Sequence, residues 1–240
     1  MKKIIYKSLF ILSSVLTFGS LDASSQNVTV YLNDGTSVQY PSEQVDSVVF
    51  SPAEENQPEA VDLGLSVLWA SYNVGATNPQ ESGDFFAWGE TETKDSYNSS
   101  TYFDPEYTYW ELTNDTCFSG KPEYDAATCI WGSEWRTPTV AEYIELITMC
   151  TWKSTRIRGI NGYRVTGVNG NSIFLPAAGN AYDSSVYGAQ DMGFYWTSEC
   201  TTEFYEAAYY FKFGSGSDYE CTMGYKNNGH VVRPVKNINN

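Results

Sequence analysis

The sequence predicts an α+β fold with a mainly antiparallel sheet, one main helix and long loops, preceded by a short β annex. Three observations support this prediction. One segment has the residues of a capped amphipathic helix, several segments alternate apolar and polar residues as strands do, and an Asn-Gly pair separates two such segments. Strands that follow one another through short turns pair in antiparallel fashion, which favours α+β over α/β.

The first 23 residues are predicted to be a signal peptide. Three lysines precede a mostly apolar run at residues 9–18, which has the length of a signal-peptide core and is too short to span a bilayer. We expect cleavage after Ala23 or a nearby small residue. The mature protein is therefore expected in the periplasm, at the cell surface or outside the cell, without a membrane-spanning segment.

Residues 24–50 are predicted to form the β annex. Val28, Val30 and Leu32 alternate with polar residues before Asn33-Asp34-Gly35, which is a hairpin signal. Residues 51–59 contain two prolines and three glutamates but no large apolar residue, as a linker does. The main domain is expected at residues 60–236.

The first half of the main domain has one strand-like stretch and a long insertion. Residues 61–74 are rich in large apolar side chains and are expected to form a strand, whereas residues 91–125 are acidic and lack clear periodicity. We expect the insertion to lie extended at the surface. A short helix is expected near residues 125–131.

The clearest helix begins at Thr139. Thr139 and Glu142 form a capping box, and Val140, Tyr143, Ile144 and Ile147 recur at helical spacing, which predicts one apolar face. After it, residues 163–168 and 172–175 flank Asn169-Gly170 and predict a hairpin.

The last predicted strands lie in an aromatic region. Alternation along residues 206–213 places Ala207, Tyr209, Phe211 and Phe213 on the buried face. The final run, residues 230–235, is expected to close the sheet.

The charge of the chain is strongly negative and unevenly distributed. The formal net charge is −15, and residues 24–125 hold 18 carboxylates against two lysines, whereas residues 126–240 hold 10 acidic and nine basic groups. Nucleic acids and anionic membranes bind basic surfaces, so both are poor partners for this protein.

Five cysteines leave at least one thiol unpaired if the exported chain is oxidised. Cys117 with Cys129, and Cys200 with Cys221 on segments expected to be neighbouring strands, are the candidate disulfides. Cys150 follows the helix and is expected to be a buried small hydrophobe. No Cys-x2-Cys pair exists and there is one histidine, so no zinc site is predicted.

A longer pattern resembles a known family. Residues 135–143 read WRTPTVAEY, and the matching stretches VDLGL (61–65), LWA (68–70), NVGA (73–76), GDFFAWGE (83–90), NGY (161–163), FLPAAG (174–179), YWTS (195–198) and VRPV (232–235) follow the same order. Together they resemble the Fibrobacter succinogenes major paralogous domain family and, more distantly, formylglycine-generating-enzyme-like proteins. The annex also resembles N-terminal segments of such exported proteins.

The resemblance implies a C-type-lectin-like fold and a secreted or surface protein of Bacteroidetes-like bacteria. Formylglycine-generating enzymes use a closely spaced cysteine pair that binds copper, whereas Cys200 and Cys221 are far apart in sequence. The tripeptides of calcium-dependent lectins are also absent from the matching region. The resemblance therefore supplies no activity, and we expect no catalytic residue, cofactor or metal.

Two enzymatic hypotheses come from the residues themselves. His230 is the only histidine and has no nucleophile elbow nearby, so we expect it to be structural. The insertion carries Asp95, Asp104, Glu106, Glu111 and Asp115, which are suited to a carboxylate-dependent glycoside hydrolase or a calcium-stabilised loop. A solvated acidic loop is the simpler interpretation.

The aromatic region between residues 182 and 225 favours recognition. Core packing is expected to use Trp196, Tyr209, Phe211 and Phe213, which leaves tyrosines mixed with Ser, Asn, Asp and Gly, as in adaptable binding surfaces. The predicted ligand-binding residues are Tyr182, Tyr187, Tyr205, Tyr210, Tyr219 and Tyr225.

The leading hypothesis is therefore a non-enzymatic exported protein that recognises a glycan or a protein. A structural or adhesion component of the cell surface is the first alternative, and the hydrolase is the second. Arg136 and Arg233 lie within the family-like motifs between apolar neighbours, so we expect both to be buried and hydrogen-bonded, joining loops to the sheet.

Overall fold

The structure is a computed structural model that describes residues 27–31, 37–42, 57–102, 117–214 and 219–238. The predicted signal peptide, the Asn33-Asp34-Gly35 turn and residues 51–56 of the predicted linker lie outside the described residues. The chain divides between Gln57 and Pro58 into two units, which are described separately.

The first unit contains one pair of described strands. Strands β1 (Asn27–Tyr31) and β2 (Ser37–Pro41) are antiparallel, with Asn27 opposite Pro41 and Tyr31 opposite Ser37. These two strands flank the turn that the sequence indicates.

In its described residues, the second unit consists mostly of antiparallel sheets with two helices. Over the described residues of both units, strand accounts for 43% and helix for 10%, so the class is α+β or mainly β. Its elements are β3 (Ala60–Asp62), β4 (Val67–Ala70), α1 (Ala126–Trp131), β5 (Trp135–Arg136), α2 (Val140–Met149), β6 (Thr151–Ile157), β7 (Ile160–Thr166), β8 (Ser172–Pro176), β9 (Asn180–Tyr182), β10 (Ser185–Tyr187), β11 (Gly193–Cys200), β12 (Ala207–Phe213), β13 (Tyr219–Tyr225) and β14 (Val235–Asn237).

A four-stranded sheet in the order β3-β4-β14-β5 joins the two ends of this unit. The single strand predicted at residues 61–74 is instead the hairpin β3–β4. The chain turns there because the Asp62 carboxylate accepts a hydrogen bond from the Gly64 amide, and Gly64 has a φ of 73° that side chains rarely adopt.

Both predicted helices are present. Asp125 caps α1, and the capping box of Thr139 and Glu142 at the start of α2 is confirmed. The predicted apolar face of α2 is partly wrong, because Leu146 is buried while Ile144 is 49% exposed.

The sheets β6-β7-β8 and β11-β12-β13 are both antiparallel meanders. The predicted hairpin around Asn169-Gly170 is confirmed as β7–β8. Its connection is longer than a two-residue turn, since Thr166 and Ser172 are the last paired residues.

Two hydrophobic clusters cover β12 on both sides. Phe211 and Phe213 belong to a cluster with Tyr143 and Leu146 of α2, whereas Ala208 belongs to one with Trp196 and other tryptophans. The predicted burial of Phe211 and Phe213 is confirmed. Tyr209 is only partly buried, whereas Ala208, which was predicted to be exposed, is fully buried. The prediction from alternation requires that one face of the strand is exposed to solvent, but both faces of β12 are covered at this end.

The described ends of the predicted surface insertion are packed into the fold. Tyr97 and Phe118 are buried, and Asp125 is inaccessible to solvent. The other described residues of the insertion are exposed or partly exposed, so its ends lie at the surface and are anchored in the core by these three side chains. Residues 103–116 lie outside the described residues.

Candidate ligand-binding surface

Two of the predicted binding tyrosines lie on the β9–β10 hairpin. Tyr182 pairs with Ser185 and Tyr187 pairs with Asn180, so both tyrosines project from the same face of the hairpin. Their side chains are 46% and 55% exposed. Ala181 projects from the opposite face, where it is buried against Tyr97.

Two more of the predicted binding tyrosines, Tyr205 and Tyr225, lie at one end of the β12–β13 pair. Tyr225 pairs with Ala207, and the Lys226 amide donates to the Glu206 carbonyl at 2.8 Å, which brings the loop containing Tyr205 to the same end of the sheet. Tyr205 is 59% exposed and Tyr225 is 62% exposed. Phe204 is exposed beside them in the chain.

Residues 225–230 connect these two groups. Gly229 and Ala181 exchange two backbone hydrogen bonds of 2.8 Å, which attach the β9–β10 hairpin to this segment. The Lys226 carbonyl accepts from the Trp88 amide at 2.8 Å, which attaches the segment to the core. Four of the six predicted tyrosines are thus exposed on elements joined to one short, anchored segment. We call Tyr182, Tyr187, Tyr205 and Tyr225 the tyrosine surface.

The other two predicted tyrosines contribute to core packing. Tyr219 pairs with Phe213 at the far end of β13 and stacks on Trp152 with 4.5 Å between ring centroids. Tyr210 packs edge-on against His230 at 4.7 Å. The structure does not place either of them in the exposed group, because strand register directs them toward rings on neighbouring elements.

A polar cleft of about 280 Å³ lies on the other face of the β9–β10 hairpin. Asp84, Asp95 and Asp183 contribute carboxylates to its lining, and Val186 contributes an apolar wall. Tyr182 and Tyr187 do not line it, because they project from the opposite face of the hairpin. The cleft and the tyrosine surface therefore share the hairpin backbone but use different side chains.

The hairpin turn is held in place by hydrogen bonds. Asp183 has a positive φ of 47° and exchanges backbone hydrogen bonds of 2.8 and 2.9 Å with Tyr97, and its carboxylate accepts from the Asn98 amide at 2.9 Å. The Tyr97 hydroxyl donates to the Phe85 carbonyl. Partial burial raises the pKa of the Asp84 carboxyl above its ordinary value.

The cation that lines this cleft is already engaged. The Lys94 ammonium pairs with Glu90 at 2.5 Å and donates to the Thr101 carbonyl at 2.8 Å. The cleft carboxylates therefore remain as hydrogen-bond acceptors for hydroxyl or amide donors of a ligand. Sequence reasoning named Asp95 among the acidic residues of the insertion but missed Asp84 and Asp183, although the Asp-Ser-Ser run at residues 183–185 between apolar residues is a hairpin signal that places Asp183.

His230 is a core residue, as predicted. It is 1% exposed and stacks on Trp196 with 4.0 Å between ring centroids. Burial lowers its pKa from 6.5 to about 3, so the imidazole is neutral at pH 7.

The predicted hydrogen-bonded role of the two motif arginines is confirmed, whereas the predicted burial is complete only for Arg233. Arg233 is fully buried and donates to the Asn73 side chain at 2.7 Å, the Ala70 carbonyl at 3.0 Å and the Phe174 carbonyl at 2.9 Å. Burial lowers the pKa of its guanidinium to about 10. Arg136 is partly buried and forms a bidentate pair with Glu142.

All five cysteines are free thiols in the structure. The expectation that Cys200 and Cys221 lie on neighbouring strands is wrong, because β12 separates β11 from β13. Two strand spacings amount to roughly 10 Å, whereas disulfide-bonded cysteines have Cα atoms about 4.4–6.8 Å apart. Cys117 lies beside Ser198, with 3.3 Å between Sγ and Oγ, whereas Cys129 is exposed on α1.

Most of the acidic residues considered for hydrolysis or calcium lie outside the described residues. These are Asp104, Glu106, Glu111 and Asp115, while Asp95 lines the cleft. In the part of the chain that the structure describes, no three His, Cys, Asp or Glu side chains are grouped to hold a metal ion. The same part contains no helix of sufficient length and hydrophobicity to cross a membrane.

Over the residues that the structure describes, fold and surface together define a predominantly antiparallel β protein with two helices, an exposed tyrosine surface and a polar cleft on the other face of the β9–β10 hairpin. Comparisons with protein-family models, curated proteins and solved structures find no match for the chain.

Proposed function

We propose that the chain is an exported, non-enzymatic binding protein that recognises a neutral glycan through the tyrosine surface. The observation that carries the proposal is the exposure of Tyr182, Tyr187, Tyr205 and Tyr225 on elements anchored to residues 225–230. Large aromatic rings exposed in a group on a rigid scaffold are typical of recognition surfaces rather than of solvated loops.

The chemistry of this region suits a sugar. Tyrosine rings offer flat apolar area for the C–H faces of a pyranose, and their hydroxyls form hydrogen bonds at low entropic cost. The carboxylates of Asp84, Asp95 and Asp183 lie in the cleft on the other face of the β9–β10 hairpin, so they shape the charge near the site rather than contact a sugar on Tyr182 and Tyr187. A neutral ligand fits better than an anionic one, because these carboxylates would repel a negative charge.

The proposal includes a C-type-lectin-like fold and membership of the Fibrobacter succinogenes major paralogous domain family. The motif residues support it because each has a clear structural role: Arg136 pairs with Glu142, Thr137 bonds Asp125, and Thr139 caps α2. Secretion to the cell surface is likewise part of the proposal and rests on the N-terminal residues of the sequence.

Screening the chain from residue 24 onward on a glycan array, beside a protein array, tests the proposal. The paired variants Tyr205→Ala/Tyr225→Ala and Tyr182→Ala/Tyr187→Ala remove the tyrosine surface in two steps. Ile144→Ala serves as the matched control, since Ile144 is an exposed apolar residue on α2.

We expect a neutral glycan to bind, and at least one double variant to weaken binding tenfold or more, because a stacked aromatic contributes about 1–2 kcal/mol. The control should bind as the wild type does. Unchanged binding in both double variants would show that the surface is wrong. A protein ligand lost in those variants would replace the glycan while keeping the surface.

A further inference from the structure

The β6–β7 hairpin concentrates positive charge in an otherwise acidic protein. Lys153, Arg156, Arg158 and Arg164 are four of the nine basic residues between residues 126 and 240, and residues 151–182 contain no carboxylate. All four side chains are exposed. The ion pairs among the described residues are formed by other cations, namely Lys94, Arg136, Lys212 and Lys236.

Strand register places two of these cations directly opposite each other. Lys153 on β6 pairs with Arg164 on β7, so their Cβ atoms are about 4.5–5.5 Å apart on the same face of the sheet. Like charges in this position destabilise a sheet. Arg164 donates to the Ser172 hydroxyl at 3.3 Å, which is a neutral partner and leaves the repulsion uncompensated.

The face that carries this pair points away from the hydrophobic core. Trp152, Tyr163 and Val165 alternate with the cations and belong to or pack against the main cluster on the opposite face. On the outer side, hydroxyl groups flank the cations on all three strands: Thr151, Thr155, Thr166 and Ser172. We call Lys153, Arg164 and these hydroxyl residues, together with Arg158 of the turn, the basic hairpin; Arg156 projects from the other face, the one that carries Trp152.

The turn of the hairpin places arginine where other residues are favoured. Ile157 pairs with Ile160, and the two residues between them, Arg158 and Gly159, have φ values of 49° and 90°. Positive φ at both positions is typical of a type I′ turn, in which Asn-Gly is preferred at the sites held here by Arg158 and Gly159. A backbone strain of about 1 kcal/mol at an exposed cationic residue points to a role outside folding.

Protection of a sheet edge explains only part of the pattern. Lysine and arginine on an edge strand discourage pairing with other chains, and β6 is the edge of its sheet. Lys153 and Arg156 fit that role. Arg164 lies on the central strand and Arg158 lies in the turn, where neither blocks an edge.

We propose that the basic hairpin is a second binding site, for a sulfated polysaccharide. Lys153 and Arg164 lie on the same outer face, and the Arg164 guanidinium turns toward Ser172 on β8, the side away from Lys153. The two cations are therefore separate donor groups, which suit successive sulfate esters along one chain. Arg158 extends the row of cations to about 16 Å from Lys153, at roughly 3.3 Å per residue. A linear polyanion with repeated charges fits this length.

The shape of the face favours a polysaccharide over an acidic protein segment. A bound peptide needs pockets for alternate side chains, whereas the exposed side chains of the outer face are cations and hydroxyl groups; Phe174, opposite Arg164, is buried, and Ile157 and Ile160 lie only at the turn end. The large negative charge elsewhere does not prevent binding, because charges beyond about 8 Å are largely screened at physiological salt. The site uses none of the residues of the tyrosine surface.

Retention of the chain from residue 24 onward on immobilised dextran sulfate tests this site, with neutral dextran, polygalacturonate and polyglutamate as parallel supports. We expect retention on dextran sulfate at 50 mM NaCl and none on dextran. The double variant Lys153→Gln/Arg164→Gln should weaken affinity at least tenfold and reduce the slope of log affinity against log salt by about one per removed charge.

Lys212→Gln/Lys236→Gln is the matched control, because it removes two charges that are already paired with Glu220 and Glu134. This control should elute from dextran sulfate at nearly the same salt concentration as the wild type. Circular dichroism should show that both double variants are folded. Equal weakening in the two double variants would overturn the site, since net charge alone would then explain retention.

The other supports decide the class of ligand. No retention on dextran sulfate, stronger retention on polygalacturonate, or equal retention on polyglutamate would each overturn the sulfated polysaccharide. Tyr205→Ala/Tyr225→Ala should leave retention unchanged. Loss of retention in that variant would overturn the separation of the two sites, whereas a failed glycan array with intact retention would overturn only the tyrosine surface.

Discussion

Acidification is expected to destabilise the folded protein through His230. The imidazole is buried in a ring stack with Trp196, Tyr210 and Phe194, and Nδ1 has no hydrogen-bond partner. The titratable neighbour in that stack is Tyr210, whose pKa is raised by burial, so no carboxylate of the stack stabilises an imidazolium. Protonation therefore requires a charge in an apolar site.

The size and sign of the effect come from the two pKa values. The pKa of His230 is about 3 in the folded state, against an ordinary 6.5 in the unfolded state. Between these values the unfolded chain binds a proton that the folded protein does not, so stability is complete above pH 6.5 and is lost as pH falls. Lowering the pH from 6.5 to 5 corresponds to about 2 kcal/mol.

Urea unfolding at pH 7.5 and pH 5.0 measures this loss, with His230→Phe as the reference variant. Phenylalanine keeps the ring stack and places a C–H where Nδ1 has no partner, so the variant should fold. Carboxylates titrate equally in both proteins and cancel in the difference. The free energy of unfolding of the wild type should fall by about 2 kcal/mol more than that of His230→Phe.

Equal pH dependence in the two proteins would refute the reasoning. NMR titration of the imidazole resonances of the wild type measures the pKa of His230 independently, since His230 is the only histidine in the chain. A titration midpoint near pH 6.5 for the imidazole in the folded state would show that the ring is exposed to solvent or hydrogen-bonded to a partner. A resonance that does not titrate above pH 4 supports burial of the neutral ring.

Four further substitutions test the packing, and urea unfolding at pH 7 measures each. Arg233→Lys should cost about 2–4 kcal/mol, because a lysine cannot satisfy the three buried acceptors that the guanidinium reaches, and a loss below 1 kcal/mol would contradict this. Asp125→Ala should cost about 3 kcal/mol, since it leaves the amide and hydroxyl of Thr137 without an acceptor; a neutral result would mean that water replaces the carboxylate. Thr139→Ala should cost about 1 kcal/mol by removing the helix cap, whereas no change would show that the Glu142 side chain is sufficient. Arg158→Asn should stabilise the protein by about 0.5–1 kcal/mol while weakening dextran sulfate retention, and a destabilised variant would contradict the assigned turn.

Local signals account for what the sequence predicted correctly. The capping box of α2 lies within four residues, and the burial of Phe211 and Phe213 follows from strand alternation. Pairing of β4 with β14 joins residues 67–70 to residues 235–237, and no local pattern encodes it. The error in the apolar face of α2 has the same origin, because the strands that pack on the helix decide whether Ile144 or Leu146 is buried.

The tyrosines show where composition stops being informative. The polar neighbours of six tyrosines in the sequence predict a single binding group, but strand register directs Tyr210 toward His230 and Tyr219 toward Trp152. Cross-strand partners decide the burial of a strand residue, and they come from distant parts of the chain. Two of the cleft aspartates, Asp84 and Asp183, were missed for the same reason, since they are about a hundred positions apart and meet only through the fold.

The residues that carry the family resemblance are also unable to specify a ligand. Arg233 is fully buried and satisfied, Arg136 is paired with Glu142, and Thr137 is bonded to a buried carboxylate. Substituting them removes buried hydrogen bonds, so the measured effect will be on folding whatever the ligand. In both proposals the ligand is instead contacted by exposed side chains, namely the tyrosine surface and the cations of the β6–β7 hairpin. Substituting these side chains leaves the buried hydrogen bonds of Arg233, Arg136 and Thr137 in place, so a loss of binding can be measured apart from a loss of folding.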